Sequence, residues 1–407
     1  MKILLVHNFY GSTAPSGENM AYLAESDLLR SHGHTVIEFT RKSDELLSRG
    51  YAGALRGAFS SVWNPFTLRK LKRVIGENHP DLVHIHNSFP LLSPSVFYAT
   101  REEKVPTVMT MHNYRVACSA ATAVRDEEAC LLCLDRKSVL PALRYGCYRK
   151  SRMATLPVAA MIAFHNAVET WNNNVDEFIT LSEFQRAKML AFGIRADSLH
   201  VKPHFMERPP EPVRWSAREE KCVFVGRLYE AKGIHLLVDA WKRWGDGAPR
   251  LEIIGDGPMR ASLSRAVDAG GLGRKVTFTG NVSHEETIGR ISKAKLLILP
   301  SLCFEGFPMV IQEAFALEVP VAASNIGSLP FIVKENVSGS LFSPGNSQEI
   351  LASVRRLMSE PGSLAALGKG ARREFEEKYT AEKNHAMLME IYRLAIIRRG
   401  GRRHLPS

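Results

Sequence analysis

The sequence has no apolar run long enough to cross a bilayer: the longest, Met153 to Phe164, is about half of the ~20 residues a spanning helix needs. Its opening, MKILLVHNFYG, offers only Ile3 to Val6 before His7, and no small-residue cleavage site follows. That pattern predicts a first β-strand and cytosolic residence, not a secretory leader. Charged residues are 23% and aromatics 8% of 407 residues, which excludes a disordered, collagenous or coiled-coil chain. At roughly 150 residues per domain the length predicts two to three domains and excludes a single small binding module. Cysteine is sparse, yet four of the six fall in one window, Cys118, Cys130, Cys133 and Cys147.

Net charge is +11, divided as +4 over residues 1–200 and +7 over the rest, so clusters matter more than the total. Two windows contain no acid. Leu46 to Gly76 holds Arg49, Arg56, Arg69, Lys70, Lys72 and Arg73, and Arg136 to Arg152 holds Arg136, Lys137, Arg144, Arg149, Lys150 and Arg152. Both suit an anionic partner, phosphate or lipid headgroup. They lack an interleaved aromatic platform or a reader module, so nucleic acid is not the expected partner.

Short aliphatic runs alternate with helical patterns along the chain: Ile3 to Val6, Thr35 to Phe39, Leu82 to Ile85, Thr107 to Met111 and Phe178 to Leu181. The rhythm restarts at Cys222 to Val225 and continues through Leu251 to Ile254, Val276 to Thr279, Leu296 to Leu299 and Val319 to Ala322. It predicts two α/β domains, each a doubly wound parallel sheet. A proline-rich segment, residues 205–220, reads as the linker. The division is then an N-terminal domain over 1–204, with a cysteine-rich insertion at about 114–165, and a C-terminal domain over 221–380. A terminal helix with a basic tail occupies 381–407, carrying Met387, Leu388, Ile391 and Leu394 at helical spacing. No internal sequence repeat is present.

Ligands of open parallel sheets sit beyond the carboxyl ends of the strands. In the C-terminal half, strand Cys222 to Val225 runs into Gly226 and Arg227, and Lys232 and Gly233 precede the next helix. A glycine for close backbone approach and two cations would neutralise a pyrophosphate. After strand Leu296 to Leu299 come Glu305, Gly306, Phe307 and Pro308, then a helix carrying Glu313. Pro308 suits the first helical position, and a helix N-terminus in a strand-end loop favours a phosphate. Glu313 interrupts an almost wholly apolar stretch, Met309 to Leu317, so its carboxylate needs partners. Either a ribose diol or a salt bridge to a neighbouring element would supply them.

Glu305 and Glu313, with Arg227 and Lys232 ahead of them, resemble the signature of the retaining GT-B glycosyltransferases of family 4. The resemblance runs over nearly the whole chain. It implies two Rossmann-like domains facing across a cleft and transfer of a sugar from a nucleotide diphosphate-sugar to a hydroxyl of a glycan or lipid-linked saccharide. Bacterial surface polysaccharide assembly is the setting it suggests. By that resemblance Arg227 and Lys232 grip the diphosphate, Glu313 the ribose, and Glu305 lies by the transferred sugar, while Gly226, Gly306, Phe307 and Pro308 shape the donor site. The sequence contains no Asp-x-Asp, the pair with which transferases of the other main fold commonly hold a divalent cation. Side chains and helix dipole would then meet the leaving-group charge, with no cofactor required.

In the N-terminal half the resemblance implicates Gly17, where family members often have two adjacent glycines and this chain has Ser16 before it. It also places His112, at the end of strand Thr107 to Met111, near the reacting sugar. His84 and His86 alternate with core residues and are left outside the site. His204 stands where the family commonly has Asn.

The clustered cytosolic thiols Cys118, Cys130, Cys133 and Cys147 suggest a closed structural zinc site or a set of reduced, redox-sensitive thiols. Arg149, Lys150 and Arg152 precede the apolar stretch Met153 to Phe164, and the earlier basic window holds Phe59, Trp63 and Phe66. These features fit peripheral attachment to an anionic leaflet on the inner face of the membrane, or a buried helix with a solvated basic end. Rival readings of the whole chain are a nucleotide-sugar epimerase or hydrolase of the same fold and a catalytically silent nucleotide-binding partner subunit.

Overall fold

The fold was analysed in a computed structural model, which describes residues 1–10, 16–47 and 60–402. Arg49, Arg56 and Phe59 of the first basic window lie outside the described residues. The chain divides into two compact units. One comprises Met1–Ala123, Leu131–Pro203 and Asn384–Ser407; the other comprises Val124–Cys130 and His204–Lys383.

The first unit is built on strands β1 (Lys2–Phe9), β2 (Thr35–Lys42), β3 (Leu82–Asn87) and β4 (Thr107–Met111), and later β7 (Glu177–Thr180) and β8 (Leu199–Val201). They form one parallel sheet in the order β2-β1-β3-β4-β7-β8. Central strands covered on both faces read as unbroken apolar runs. Accordingly Ile3 to Val6 of β1 are all fully buried. Between β4 and β7 the chain forms a small antiparallel hairpin, β5 (Val124–Arg125) and β6 (Glu128–Ala129), which groups with the second unit.

The second sheet holds β9 (Lys221–Val225), β10 (Arg250–Ile254), β11 (Val276–Gly280), β12 (Leu296–Leu299), β13 (Val321–Ser324) and β14 (Gly339–Phe342). All are parallel, in the order β11-β10-β9-β12-β13-β14. That is the doubly wound order whose strand sequence reverses between β9 and β12. Phe224, Trp241, Leu251 and Ile298 anchor its core.

Three features differ from the sequence expectation. Segment 205–220 belongs to the second unit, where the Arg218 guanidinium donates to the carbonyls of Leu317 at 2.7 Å and Glu318 at 3.0 Å. A buried guanidinium saturated by helix-end carbonyls ties down what composition alone marks as loose. Helix Ala381–Arg402 joins the first unit from Asn384 onward, with Leu388, Ile391, Tyr392 and Ala395 packed on Ile3, Leu5 and Tyr22. Its buried stripe is turned relative to the expected one, leaving Met387 and Leu394 half-buried. Pro308 is the N-cap of helix Met309–Ala316, with an extended backbone, one residue ahead of the expected position.

Candidate functional site

In the second unit the strand reversal brings two loops together. Gly226 and Arg227 leave β9, and residues 300–308 leave β12. Two glycines make the approach work. A Cβ on Gly233, which has φ +67°, would stand 1.8 Å from the Pro300 carbonyl oxygen, and a Cβ on Gly255, with φ +128°, would stand 2.1 Å from that of Gly226. Only glycine permits backbones this close.

Across this junction Lys232 Nζ lies 2.6 Å from Glu305 Oε1 and 2.8 Å from Oε2, and Ser301 Oγ donates to Oε1 at 2.7 Å. Ser328 Oγ holds the Glu305 carbonyl at 2.7 Å. Burial alone would raise the Glu305 carboxyl; the Lys232 charge and these hydrogen bonds outweigh it and keep the group below the ordinary carboxylate range. The same pairing overcomes burial at Lys232 and raises its ammonium. Arg227 makes no ion pair among the described residues and its guanidinium lies 5.0 Å from the Tyr229 ring centre. Its charge is felt at both Lys232 and Glu305. The Lys232–Glu305 pair thus has beside it a guanidinium whose charge no carboxylate among the described residues takes up.

Helix Met309–Ala316 starts at this junction without a side-chain cap. The Ile311 amide donates to the Pro308 carbonyl at 3.0 Å, which leaves the Met309 and Val310 amides at the helix start without a partner inside the helix. Phe307, in the preceding turn, is buried against Tyr379 and His204, with ring centres 5.5 and 5.7 Å apart. Glu313, one turn into the helix, is buried, and burial pushes its carboxyl up to about 7. Of the two partners the sequence offered, the salt bridge is nearly absent: the closest basic atom among the described residues is His284 Nδ1, 3.9 Å from Oε1. A half-protonated carboxyl with no tight partner is the arrangement a pair of ligand hydroxyls would complete.

Sequence reasoning missed Glu127, in the β5–β6 turn, whose Oε2 accepts from the Ala231 amide at 3.3 Å beside Lys232. Nothing in the local pattern points from residue 127 to 231; only the fold joins them.

In the first unit, Gly17 begins helix Gly17–Ser31, and His112 follows directly on β4. Beside them Glu18 accepts from Asn113 Nδ2 at 3.1 Å, and burial pushes its carboxyl up to about 8. His112 Nε2 lies 3.0 Å from His86 Nδ1. Behind His86 is a fully buried polar cluster. Glu25 Oε1 lies 3.2 Å from His86 Nε2 and 3.0 Å from His84 Nδ1, and Lys202 Nζ reaches Glu25 Oε2 at 2.6 Å. His84 and His86, which the sequence left outside the site, thus sit directly behind His112. Their alternation with Val83 and Ile85 marked a strand; that both faces of β3 are buried was not visible in it.

Among the described residues, Glu25, His84 and His86 are the only group of three or more His, Cys, Asp or Glu whose ligand atoms lie within 4.8 Å of one another. Lys202 already neutralises that carboxylate, so the cluster is a buried ion pair rather than a vacant ligand set. The structure does not gather Cys118, Cys130, Cys133 and Cys147 into a zinc site. No three of them bring their sulfurs within 4.8 Å of one another, and Cys130 groups with the second unit while the other three group with the first. None of the six cysteines forms a disulfide. No helix among the described residues is long and apolar enough to cross a membrane.

The family described as glycosyl transferases group 1 matches residues 207–374, and glycosyltransferase family 4 matches residues 22–207. The chain belongs to these glycosyltransferases and has their GT-B fold. It is similar to the amylovoran biosynthesis glycosyltransferase AmsK of Erwinia amylovora, 28% identical over 52% of this chain and 55% of that one. It is also similar to the O-antigen chain mannosyltransferase C of Escherichia coli, 28% identical over 54% and 58%. The matched stretch therefore spans only about half the length of these relatives. Among solved structures, HepE of Anabaena in complex with UDP aligns over 96% of this chain and 99% of that one, with TM-score 0.68 and 19% identity, a likeness of fold.

Proposed function

We propose that the protein transfers a sugar from a nucleotide diphosphate-sugar to a hydroxyl of a glycan or lipid-linked saccharide with retained anomeric configuration, without a metal ion, in surface polysaccharide assembly. Glu313 carries the reading: a buried carboxylate at the strand reversal, with no basic atom nearer than 3.9 Å among the described residues, is one that two hydroxyl donors would satisfy. A ribose diol supplies them. Arg227, Lys232 and the first amides of helix Met309–Ala316 then meet the diphosphate. The bond from the anomeric carbon to the diphosphate oxygen breaks while the acceptor oxygen joins that carbon on the same face, and the hydroxyl proton passes to the leaving phosphate. Glu305 holds Lys232 for that leaving group and borders the transferred sugar, with Gly226, Gly306, Phe307 and Pro308 shaping the pocket. In the first unit, His112 stabilises charge at the sugar, and Gly17 lies by the donor phosphate. The enzyme works at the cytoplasmic face of the membrane, touching it peripherally.

Thermal shift with UDP, GDP, ADP and TDP in EDTA tests this, UDP first because HepE binds it. One nucleotide should stabilise the wild type and leave Arg227→Ala and Glu313→Ala unmoved. A nucleotide that stabilises only after Mg²⁺ is added removes the metal-free part of the reading, and no shift with any removes the donor site. Product formation from the donor only in the presence of an acceptor separates transfer from epimerisation or hydrolysis.

A further inference from the structure

Helix Arg152–Ala167 is apolar on both faces. Its inward residues, Thr155, Val158, Ala159, Met161, Ile162 and His165, are buried, and Phe89 packs among them. Its outward residues are Met153, Leu156, Ala160, Ala163, Phe164 and Ala167. That spacing of three and four is a single stripe along one side. Met153 is 80% exposed, Leu156 53% and Phe164 49%. No outward side chain after Arg152 is polar until Glu169, beyond the helix end. A surface helix of a globular protein turns charge to water, and one that is apolar all round is ordinarily covered. Helix Pro65–Asn78 of the same unit shows the ordinary case, with Arg69, Lys70 and Arg73 exposed.

The approach to this stripe is cationic. Arg136, Lys137, Arg144, Arg149, Lys150 and Arg152 are all exposed, and none has a carboxylate within 4.0 Å among the described residues. Other surface arginines pair along their helices, as exposed Arg393 does with Glu390 and half-buried Arg290 and Arg372 do with Glu286 and Glu376. Arg136, Arg144 and Arg152 share a groove of about 610 Å³ with Leu140 and Tyr145. Leu140 is itself 70% exposed, so apolar and cationic groups are interleaved here too.

We propose that the outward face of helix Arg152–Ala167 lies in the interface of an anionic bilayer, with the groove of Arg136, Arg144 and Arg152 taking lipid phosphates. Charge complementarity chooses this occupant. A second copy would cover the apolar stripe but oppose six cations with six more. An acidic peptide would answer the cations and leave the stripe wet. An anionic membrane answers both, because the helix is long enough to lie flat with its stripe at the acyl boundary while the guanidiniums stay at headgroup level. The inference deepens the membrane part of the reading above and is independent of the sugar chemistry.

The full chain is sedimented with vesicles of phosphatidylcholine alone and of phosphatidylcholine with about one-third phosphatidylglycerol. Binding is expected to the anionic vesicles only. The double variant Met153→Asp, Leu156→Asp should lose roughly tenfold or more of it, and Arg144→Gln with Arg152→Gln should weaken it and flatten its salt dependence. Both pairs are solvent-facing, so melting temperature and the nucleotide thermal shift should stay at wild-type values. No binding of the wild type at low salt overturns the proposal, as does undiminished binding of the aspartate variant. A concentration-dependent dimer that Leu156→Asp dissolves, without vesicle binding, overturns it in favour of a second copy. Vesicle binding without any nucleotide shift sinks the sugar-transfer reading and leaves this one standing.

Discussion

Lys232 Nζ spans both carboxylate oxygens of Glu305, at 2.6 and 2.8 Å, so the cation assigned to the diphosphate and the carboxylate assigned to the sugar are one unit. Removing either partner has unequal consequences. Lys232→Ala leaves Glu305 buried with only Ser301 to satisfy it, whereas Glu305→Gln leaves a lysine that reaches solvent. Loss of one member of a partly buried pair costs about 2 kcal/mol when the remaining charge stays buried and about 1 kcal/mol or less when it does not. Urea denaturation should therefore rank Lys232→Ala as the less stable variant. Equal midpoints would show that solvent reaches Glu305.

Glu313 gives a pH signature of definite sign. Its carboxyl rises from the ordinary 4.5 to about 7 in the folded protein, so the fold favours the protonated form. Stability from this residue is full below about 4.5 and lost as pH rises to about 7, an amplitude of at most roughly 3 kcal/mol. Hydroxyl donors from a ribose favour the ionised form, so nucleotide affinity should climb between about pH 6 and 8, a range of about one pH unit either side of that value. In Glu313→Gln the affinity should be flat with pH and lower by roughly tenfold. Calorimetric titration across that range checks both, and a wild-type affinity independent of pH would remove Glu313 from the ribose.

The first unit should respond to pH in the opposite direction. Burial, reinforced by His86, lowers His84 to about 4, while Lys202 and the two histidines overcome burial to hold Glu25 well below the carboxylate range. A depressed histidine loses its stabilising neutrality as pH falls from its unfolded value near 6.5 toward 4, and a depressed carboxylate adds its loss below about 4.5. Lys202→Met should abolish most of the protection and cost about 3 kcal/mol, because Glu25 would remain buried without its cation. Hydrogen exchange of β3 amides between pH 7 and 5 reads this locally. Unchanged β3 protection in Lys202→Met would show that the histidines alone carry the charge of Glu25.

Strands announced themselves because buried parallel strands are continuous aliphatic runs, and the strand-end logic then led from Val225 to Arg227 and from Leu299 to Glu305. β14 escaped notice: Gly339 and Ser340 lack β-forming side chains, and the strand tolerates glycine because a Cβ there would stand 1.8 Å from the Val321 carbonyl oxygen. The paired glutamates were legible as a motif, but the bidentate Lys232 contact was not, since it joins residues 73 apart. Glu25 and Lys202 are separated by 177 residues and each reads locally as a surface charge. Pairing across sequence distance is what one chain without its fold conceals.

Of the two readings of the cysteine window, a structural zinc site or a set of reduced thiols, the geometry favours the second. Cys118 and Cys133 are buried, and burial pushes the Cys118 thiol up; Cys130 and Cys147 are only half-covered. Cys222 and Cys303 are buried too, with burial and the Glu305 charge carrying the Cys303 thiol up to about 12. A thiolate is the reactive species, so access and ionisation act together. Thiol titration of the native protein should show Cys130 and Cys147 reacting ahead of the other four, with all six released only in denaturant, and metal analysis should give well under one zinc per chain. A four-thiolate zinc centre would instead protect Cys118, Cys130, Cys133 and Cys147 together until a chelator is added, and that joint release would restore the metal reading.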